Sequence, residues 1–156
     1  MTKTDILMTG VGGQGVILAS DALAEIAMKA GYDVKKSDSL GMSQRGGSVV
    51  SHVRLGRQVF SPMIRRGEAD ILLAFERLEG ARWADHLHKN SIAIINDLAI
   101  PPLSVVGGAS AYPSTAEVEE MLHRYTDYLF IIPGTQIAQE MGNPQVLNVL
   151  LVGFLS

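Results

Sequence analysis

The sequence predicts an α/β protein: a doubly wound, mostly parallel, Rossmann-like three-layer fold with a β-hairpin insertion, in a single domain over residues 1–156. Three observations lead there. A short apolar strand, Ile6-Leu7-Met8, runs into Gly10-Val11-Gly12-Gly13-Gln14-Gly15, and then into a stripe of Ala19, Leu23, Ile26 and Ala30 at helical spacing. Strand-like apolar runs then alternate with helix-like segments along the chain, the pattern of a sheet covered on both faces. Finally, 156 residues that are 47% hydrophobic and 19% charged, with 16 glycines, suit one α/β domain with a sizeable core.

The first helix closes at Ala30-Gly31, a glycine C-cap. Tyr32 to Ser37 reads as a second strand, followed by the polar loop Ser39-Leu40-Gly41-Met42-Ser43-Gln44-Arg45-Gly46-Gly47-Ser48. Val49 to Leu55 alternates like a strand; with Gly56-Arg57 as the turn and Gln58-Val59-Phe60 as a second arm it reads as the hairpin, ended by Pro62. Ala69 to Phe75 reads as a buried strand, Glu76 to Leu87 as a helix and Ser91 to Asn96 as another strand. Pro101-Pro102 opens a connection through Gly107-Gly108 to a short strand near Ala109 to Tyr112. Ser114-Thr115-Ala116-Glu117 is a capping box for a helix carrying Val118, Met121, Leu122 and Tyr125. Tyr128 to Ile132 is the last strand, stopped by Pro133-Gly134, and Thr135 to Met141 a short helix. Asn143 caps a final helix with Pro144 in its first turn. From Val146 to Leu155 that helix is apolar nearly all round, so it is buried within the domain or against a partner.

The glycine turn carries the chemistry. Glycines allow positive φ and close approach of a ligand to the backbone, and the free N–H groups of the following helix favour an anion such as a phosphate or pyrophosphate. The same glycines equally serve a tight turn and close packing of helix on sheet. Asp38, near the end of the second strand, is placed either to hold a ribose, as in a small stand-alone nucleotide-binding module, or to serve as a loop residue. Lys35, Lys36, Arg45, Arg54, Arg57, Arg65 and Arg66 are seven of the chain's 13 basic residues, and Asp38 is the only acid between residues 35 and 66. They form either a solvated surface or an anion site shared with the glycine turn. Trp83, the only tryptophan, reads as a packing residue.

Several classes are excluded. The formal net charge of −3 points away from nucleic acid. No apolar run reaches the ~18 residues of a membrane span, and the amino terminus enters a strand directly, so a cytoplasmic location is expected. There is no cysteine, hence no thiol nucleophile and no cysteine-ligated iron–sulfur cluster. His52, His86, His88 and His123 have no zinc-like spacing, and His86-x-His88 on a helix would point its rings to different faces.

Gly10-Val11-Gly12-Gly13-Gln14-Gly15, Gly41-Met42-Ser43-Gln44-Arg45-Gly46-Gly47, Ser51-His52-Val53-Arg54, Ser61-Pro62, Gly67-Glu68-Ala69-Asp70 and Ala74-Phe75-Glu76 occur in this order. Together they resemble the gamma subunit, or gamma domain, of 2-oxoacid:ferredoxin oxidoreductases, most nearly the small (beta) subunit of the indolepyruvate enzymes, over essentially the whole chain. The resemblance implies a subunit of a complex of anaerobic metabolism that oxidatively decarboxylates a 2-oxoacid such as indolepyruvate or pyruvate to an acyl-CoA and passes electrons to ferredoxin. It implies that thiamine diphosphate, its Mg and the iron–sulfur clusters are held by a partner subunit, so that the isolated chain is inactive and has no catalytic or metal-binding residue of its own. Coenzyme A would be shared, with Gly10, Gly12, Gly13, Gln14 and Gly15 forming an anion-binding turn and Ser43, Arg45, Gly46 and Gly47 a second loop facing it. Members of the family usually continue for some tens of residues beyond this match, and the added segment would cover the final helix. Without that cover, the helix is expected to support oligomer formation or partner binding.

Overall fold

The computed structural model describes residues 3–41 and 46–155. Six strands, β1 (Lys3–Val11), β2 (Asp33–Leu40), β3 (Ser48–Gly56), β4 (Ala69–Ala74), β5 (Leu87–Asn96) and β6 (Tyr128–Ile132), form one sheet in the order β2-β3-β1-β4-β5-β6. β1, β4, β5 and β6 run parallel; β3 is antiparallel to both β1 and β2. Six helices accompany them: α1 (Val16–Lys29), α2 (Arg77–Arg82), α3 (Leu103–Val106), α4 (Thr115–His123), α5 (Gly134–Glu140) and α6 (Leu147–Gly153).

Alternate strand residues face opposite layers. Ile6, Met8, Val53, Leu55 and Leu73 pack with α1, α5 and α6 residues such as Val16, Ala19, Ala138 and Leu151. Leu7, Leu72, Ala93 and Ile95 pack on the other face with Val118 and Leu122 of α4. Gly80 lets α2 lie directly on the sheet: a Cβ there would come within 2.8 Å of Ile95 Cδ1 and 3.0 Å of Ala74 Cβ. On the α1 side, β4, β5 and β6 are not fully covered. Ile71, Ile92, Ile94, Phe130 and Ile132, with Phe154 and Leu155, line an open apolar hollow of about 350 Å³.

The three-layer plan matches the sequence, and four details differ. The hairpin is β2–β3, closing across residues 41–47, and Gln58-Val59-Phe60 is not a strand. Both edges of β3 are taken by β2 and β1, which leaves no edge for a third arm; Val59 N–H donates instead to Asp33 Oδ2 at 2.8 Å. α2 stops at Arg82, and a 3₁₀ turn (Ala84–His86) leads into β5, where Leu87 pairs with Ala69. Leu87 is buried there, a stronger demand than continuing the helix. Residues 109–112 form no strand; Tyr112 donates its hydroxyl to Glu76 Oε1 instead. The final apolar segment begins as a 3₁₀ turn (Pro144–Val146), capped by Asn143 through Gln145 N–H at 3.0 Å. In α6, Leu147 and Leu151 are buried, while Val149 is 72% exposed and Phe154 half-exposed. The capping box at Ser114 and Glu117 is formed as its spacing predicts. No helix among the described residues is long and apolar enough to cross a membrane.

Candidate anion site at the glycine turn

The turn joins the carboxyl end of β1 to α1. Gly13 and Gly15 have φ of 99° and 81°, left-handed values that favour glycine. Gly10 is needed for a different reason: a Cβ there would lie 2.8 Å from Gln14 Oε1 and from Val16 Cγ2, and 2.9 Å from Phe75 Cβ. Gly12 N–H donates to Gly47 O at 2.9 Å, so the second predicted loop does meet the first. Gly46 is also left-handed, with φ of 78°. Ser43 and Arg45, the other two residues assigned to that loop, lie outside the described residues.

The Gln14 side chain holds the turn together. Its Oε1 accepts from Val11 N–H at 2.7 Å and its Nε2 donates to Phe75 O at 2.9 Å, tying the end of β1 to the end of β4. Phe75 O also accepts from Asn96 Nδ2 at 3.0 Å, and Asn96 Oδ1 accepts from Thr135 N–H at 3.0 Å. Two carboxamides thus lock the carboxyl ends of β1, β4 and β5 and the start of α5. Alongside, Glu76 caps α2 by accepting from Glu79 N–H at 2.8 Å, and also accepts from Ile100 N–H at 3.0 Å. Burial, and then the hydrogen bond to Glu76, raise the Tyr112 phenol well above its ordinary value, so it stays a donor. Glu79 accepts from Ser48 Oγ at 2.5 Å and pairs with Arg82 at 2.6 Å, fixing the start of β3 beside Gly47.

α1 begins with no side-chain cap and no acid in its first turn. Its leading N–H groups therefore lack an intrahelical acceptor and open on a cleft of about 660 Å³. Gly13, Gln14, Gly15 and Leu18 form one side, and Asn143 to Val149 the other. None of these lining residues is charged. Such a site binds through backbone dipoles and amides.

Four of the clustered basic residues are engaged in ion pairs. Lys35 pairs with Asp33, Lys36 with Asp21 and Asp38, Arg54 with Asp5 and Glu68, and Arg66 with Asp85. In register, Asp5 stands opposite Arg54 and Arg54 opposite Lys35, at the amino end of β1 and away from the turn. Asp38 accepts from Ser51 Oγ at 2.6 Å, and β3 separates its strand from β1, so its carboxylate is not set beside the glycine turn as a ribose-binding acid would be. His86 sits in the 3₁₀ turn and His88 in β5, where the sequence placed both on one helix. Trp83 packs against His86 and His52 at ring-centroid distances of 5.0 and 6.1 Å. Among the described residues no group of three or more His, Asp or Glu side chains could hold a metal ion. Asn96, at the end of its strand, lies beside the crevice as the sequence places it, and Asn148 is the cleft residue that motif reading missed. For Asn148 the signal was present: one amide inside an otherwise apolar run.

Residues 5–156 match the pyruvate ferredoxin/flavodoxin oxidoreductase family. The chain is similar to indolepyruvate oxidoreductase subunit IorB of Pyrococcus horikoshii, 38% identical over 100% of this chain and 78% of the relative. It is 39% identical to the subunit of that name from Archaeoglobus fulgidus, over 98% of this chain and 76% of the relative. Its fold is similar to the crystal structure of pyruvate oxidoreductase subunit PORC from Thermotoga maritima (TM-score 0.70, 20% identity, covering 99% of this chain and 75% of that one). It is also similar to part of 2-oxoglutarate:ferredoxin oxidoreductase from Magnetococcus marinus with 2-oxoglutarate, coenzyme A and succinyl-CoA bound (TM-score 0.66, 20% identity, 95% of this chain and 23% of that one). The family match over nearly every residue, with two relatives well above 30% identity, shows that this chain belongs to the pyruvate ferredoxin/flavodoxin oxidoreductase family, as a subunit of a 2-oxoacid:ferredoxin oxidoreductase.

Proposed function

We propose that the chain is the small subunit of an oxidoreductase acting on an aryl-2-oxoacid of the indolepyruvate type, yielding an acyl-CoA and reduced ferredoxin. The observation that carries this is the 36–39% identity to indolepyruvate oxidoreductase subunits, over 96–100% of this chain. Iron–sulfur clusters do not fit this chain, which has no cysteine to ligate them. Thiamine diphosphate, its Mg and the clusters are assigned to the partner subunit. This chain's own part is to bind and orient: the turn at Gly10 to Gly15, with the loop at Ser43 to Gly47, takes a phosphate of coenzyme A at the boundary with the partner. The coenzyme A bound in the Magnetococcus marinus enzyme, part of which shares this fold, supports that reading. The partner docks on the exposed side of α6 and the neighbouring apolar hollow, surfaces rich in large apolar side chains.

Co-expression with the cluster-bearing subunit tests the assignment. The complex is expected to reduce a viologen dye with indolepyruvate, coenzyme A and thiamine diphosphate, and the pure chain to reduce none. Turnover by the pure chain would overturn the subunit reading. Val149→Glu with Phe154→Glu is expected to abolish co-purification while leaving the fold intact; undiminished co-purification would move the interface elsewhere.

A further inference from the structure

Asn148 is the only polar side chain in α6. It is 8% exposed. Its Oδ1 accepts from Val149 N–H at 2.8 Å, whereas its Nδ2 meets no acceptor among the described residues. Asn148 lines the open cleft, so this amide N–H is left available to an acceptor that enters from outside the chain. Its direction is fixed by Gly15: a Cβ on that glycine would lie only 3.1 Å from Nδ2. The absence of a side chain at position 15 thus makes the space the amide occupies. Nδ2 lies beside the uncapped start of α1, in the same cleft.

We propose that Asn148 is a ligand-binding residue, its Nδ2 donating to a phosphoryl oxygen seated on the amino end of α1. The inference rests on the anion reading of the glycine turn and adds the chemistry of its ligand. Backbone N–H groups approach the site along the axis of α1, and Nδ2 approaches from the side. A tetrahedral phosphoryl group offers oxygens in both directions at once; a planar carboxylate offers its two in one plane. The site therefore selects phosphate esters and pyrophosphates over simple carboxylates. It also joins α6 to the bound group.

The test is a titration of the ¹⁵N-labelled full chain with inorganic pyrophosphate, with malonate as the carboxylate comparison. Pyrophosphate is expected to shift the Asn148 side-chain NH₂ signals together with the backbone amides of Gly15 to Leu18, and malonate to shift neither. Asn148→Leu is expected to weaken pyrophosphate binding roughly tenfold or more, as loss of a hydrogen bond to a charged group does. Asn148→Asp is expected to abolish binding while raising the melting temperature, because a carboxylate at a helix amino end is stabilising. A merely structural role would lower the melting temperature and the affinity together. Wild-type affinity in both variants would overturn the role of Asn148 and leave the glycine turn standing. Failure of pyrophosphate to move the Gly15 to Leu18 amides in the wild type would overturn both.

Discussion

The two ends of β1 are built from different materials. At the amino end, Asp5 is fully buried and bound by the Arg54 fork, Nε to Oδ1 at 2.9 Å and Nη2 to Oδ2 at 2.6 Å, with Lys3 at 2.7 Å and Glu68 beside Arg54 at 3.1 Å. Arg54 Nη1 also donates to Met63 O at 2.9 Å, fastening the connection that leads to β4. At the carboxyl end the side chains that hold the turn and overlook the cleft are neutral, Gln14 and Asn96 binding backbone and Asn148 facing the helix start, while Glu76 and Glu79 are taken up by their own donors. Formal charge at the first end is spent within the chain. Partial charge at the second end is left open to a ligand. Clustering of basic residues in a sequence therefore says little about where an anion sits until their acidic partners are known.

Mutations can break this contrast. Arg54→Ala should have the largest effect, about 3–5 kcal/mol of unfolding free energy, because it leaves Asp5 buried without its main partner. Chemical denaturation measures the loss, and coenzyme A affinity of the folded fraction should be unchanged. Arg45→Ala should act the other way, weakening coenzyme A binding by about 1.5–3 kcal/mol in calorimetry with little loss of stability. Gln14→Ala should affect both properties, costing about 1–3 kcal/mol of stability by orphaning Val11 N–H and removing one of the two donors to Phe75 O, and loosening the turn. Acid should act first on the amino end. Burial pushes the Asp5 carboxyl up, but hydrogen bonds and charge from Arg54 and Lys3 together hold it below its ordinary value. Its stabilising contribution is then complete above the unfolded value of about 3.9 and is lost as pH falls through the lower folded one. Denaturation midpoints followed below pH 5 should show this slope in the wild type and a flatter one in Arg54→Ala. Arg57→Ala, on the exposed connection after β3, should change stability by no more than about 0.5 kcal/mol and binding not at all.

Much of this architecture was legible in the sequence. β1, the glycine turn, α1 with its closing Gly31, the capping box of α4 and β6 before Pro133-Gly134 all follow from local signals, and local signals suffice where one residue's conformational needs decide the outcome. The hairpin was misplaced because Gly56-Arg57 resembles a turn locally, while the pairing of β3 on both edges is a property of the whole sheet. The short strand near Ala109 does not form; Tyr112 is engaged with Glu76 rather than with the sheet. In the site, the motif located the turn, whereas the commitment of the Gln14 carboxamide to Val11 and Phe75 shows only in the fold. The basic cluster misled because its partners Asp5, Asp21, Glu68 and Asp85 lie outside the 35–66 window or come from other elements. Asn96 and Asn148 carry no motif; their roles depend on residues 21 to 133 positions away in sequence.

The placement of β3 between β2 and β1 also orders the folding reaction. β2 and β3 are joined by a short antiparallel connection and can close on the microsecond scale of a hairpin, at little loop-closure cost. β1 pairs with the far edge of β3 rather than with β2, and β4, β5 and β6 extend the sheet from it by parallel pairings that close longer loops and are expected to form more slowly. The transition state is accordingly expected to be polarised, with φ-values high for substitutions at Val34, Val53 and Leu55 and low for those at Leu129 and Ile131. α6 packs on α1 and α5, so the cleft between it and the glycine turn exists only when both walls are formed.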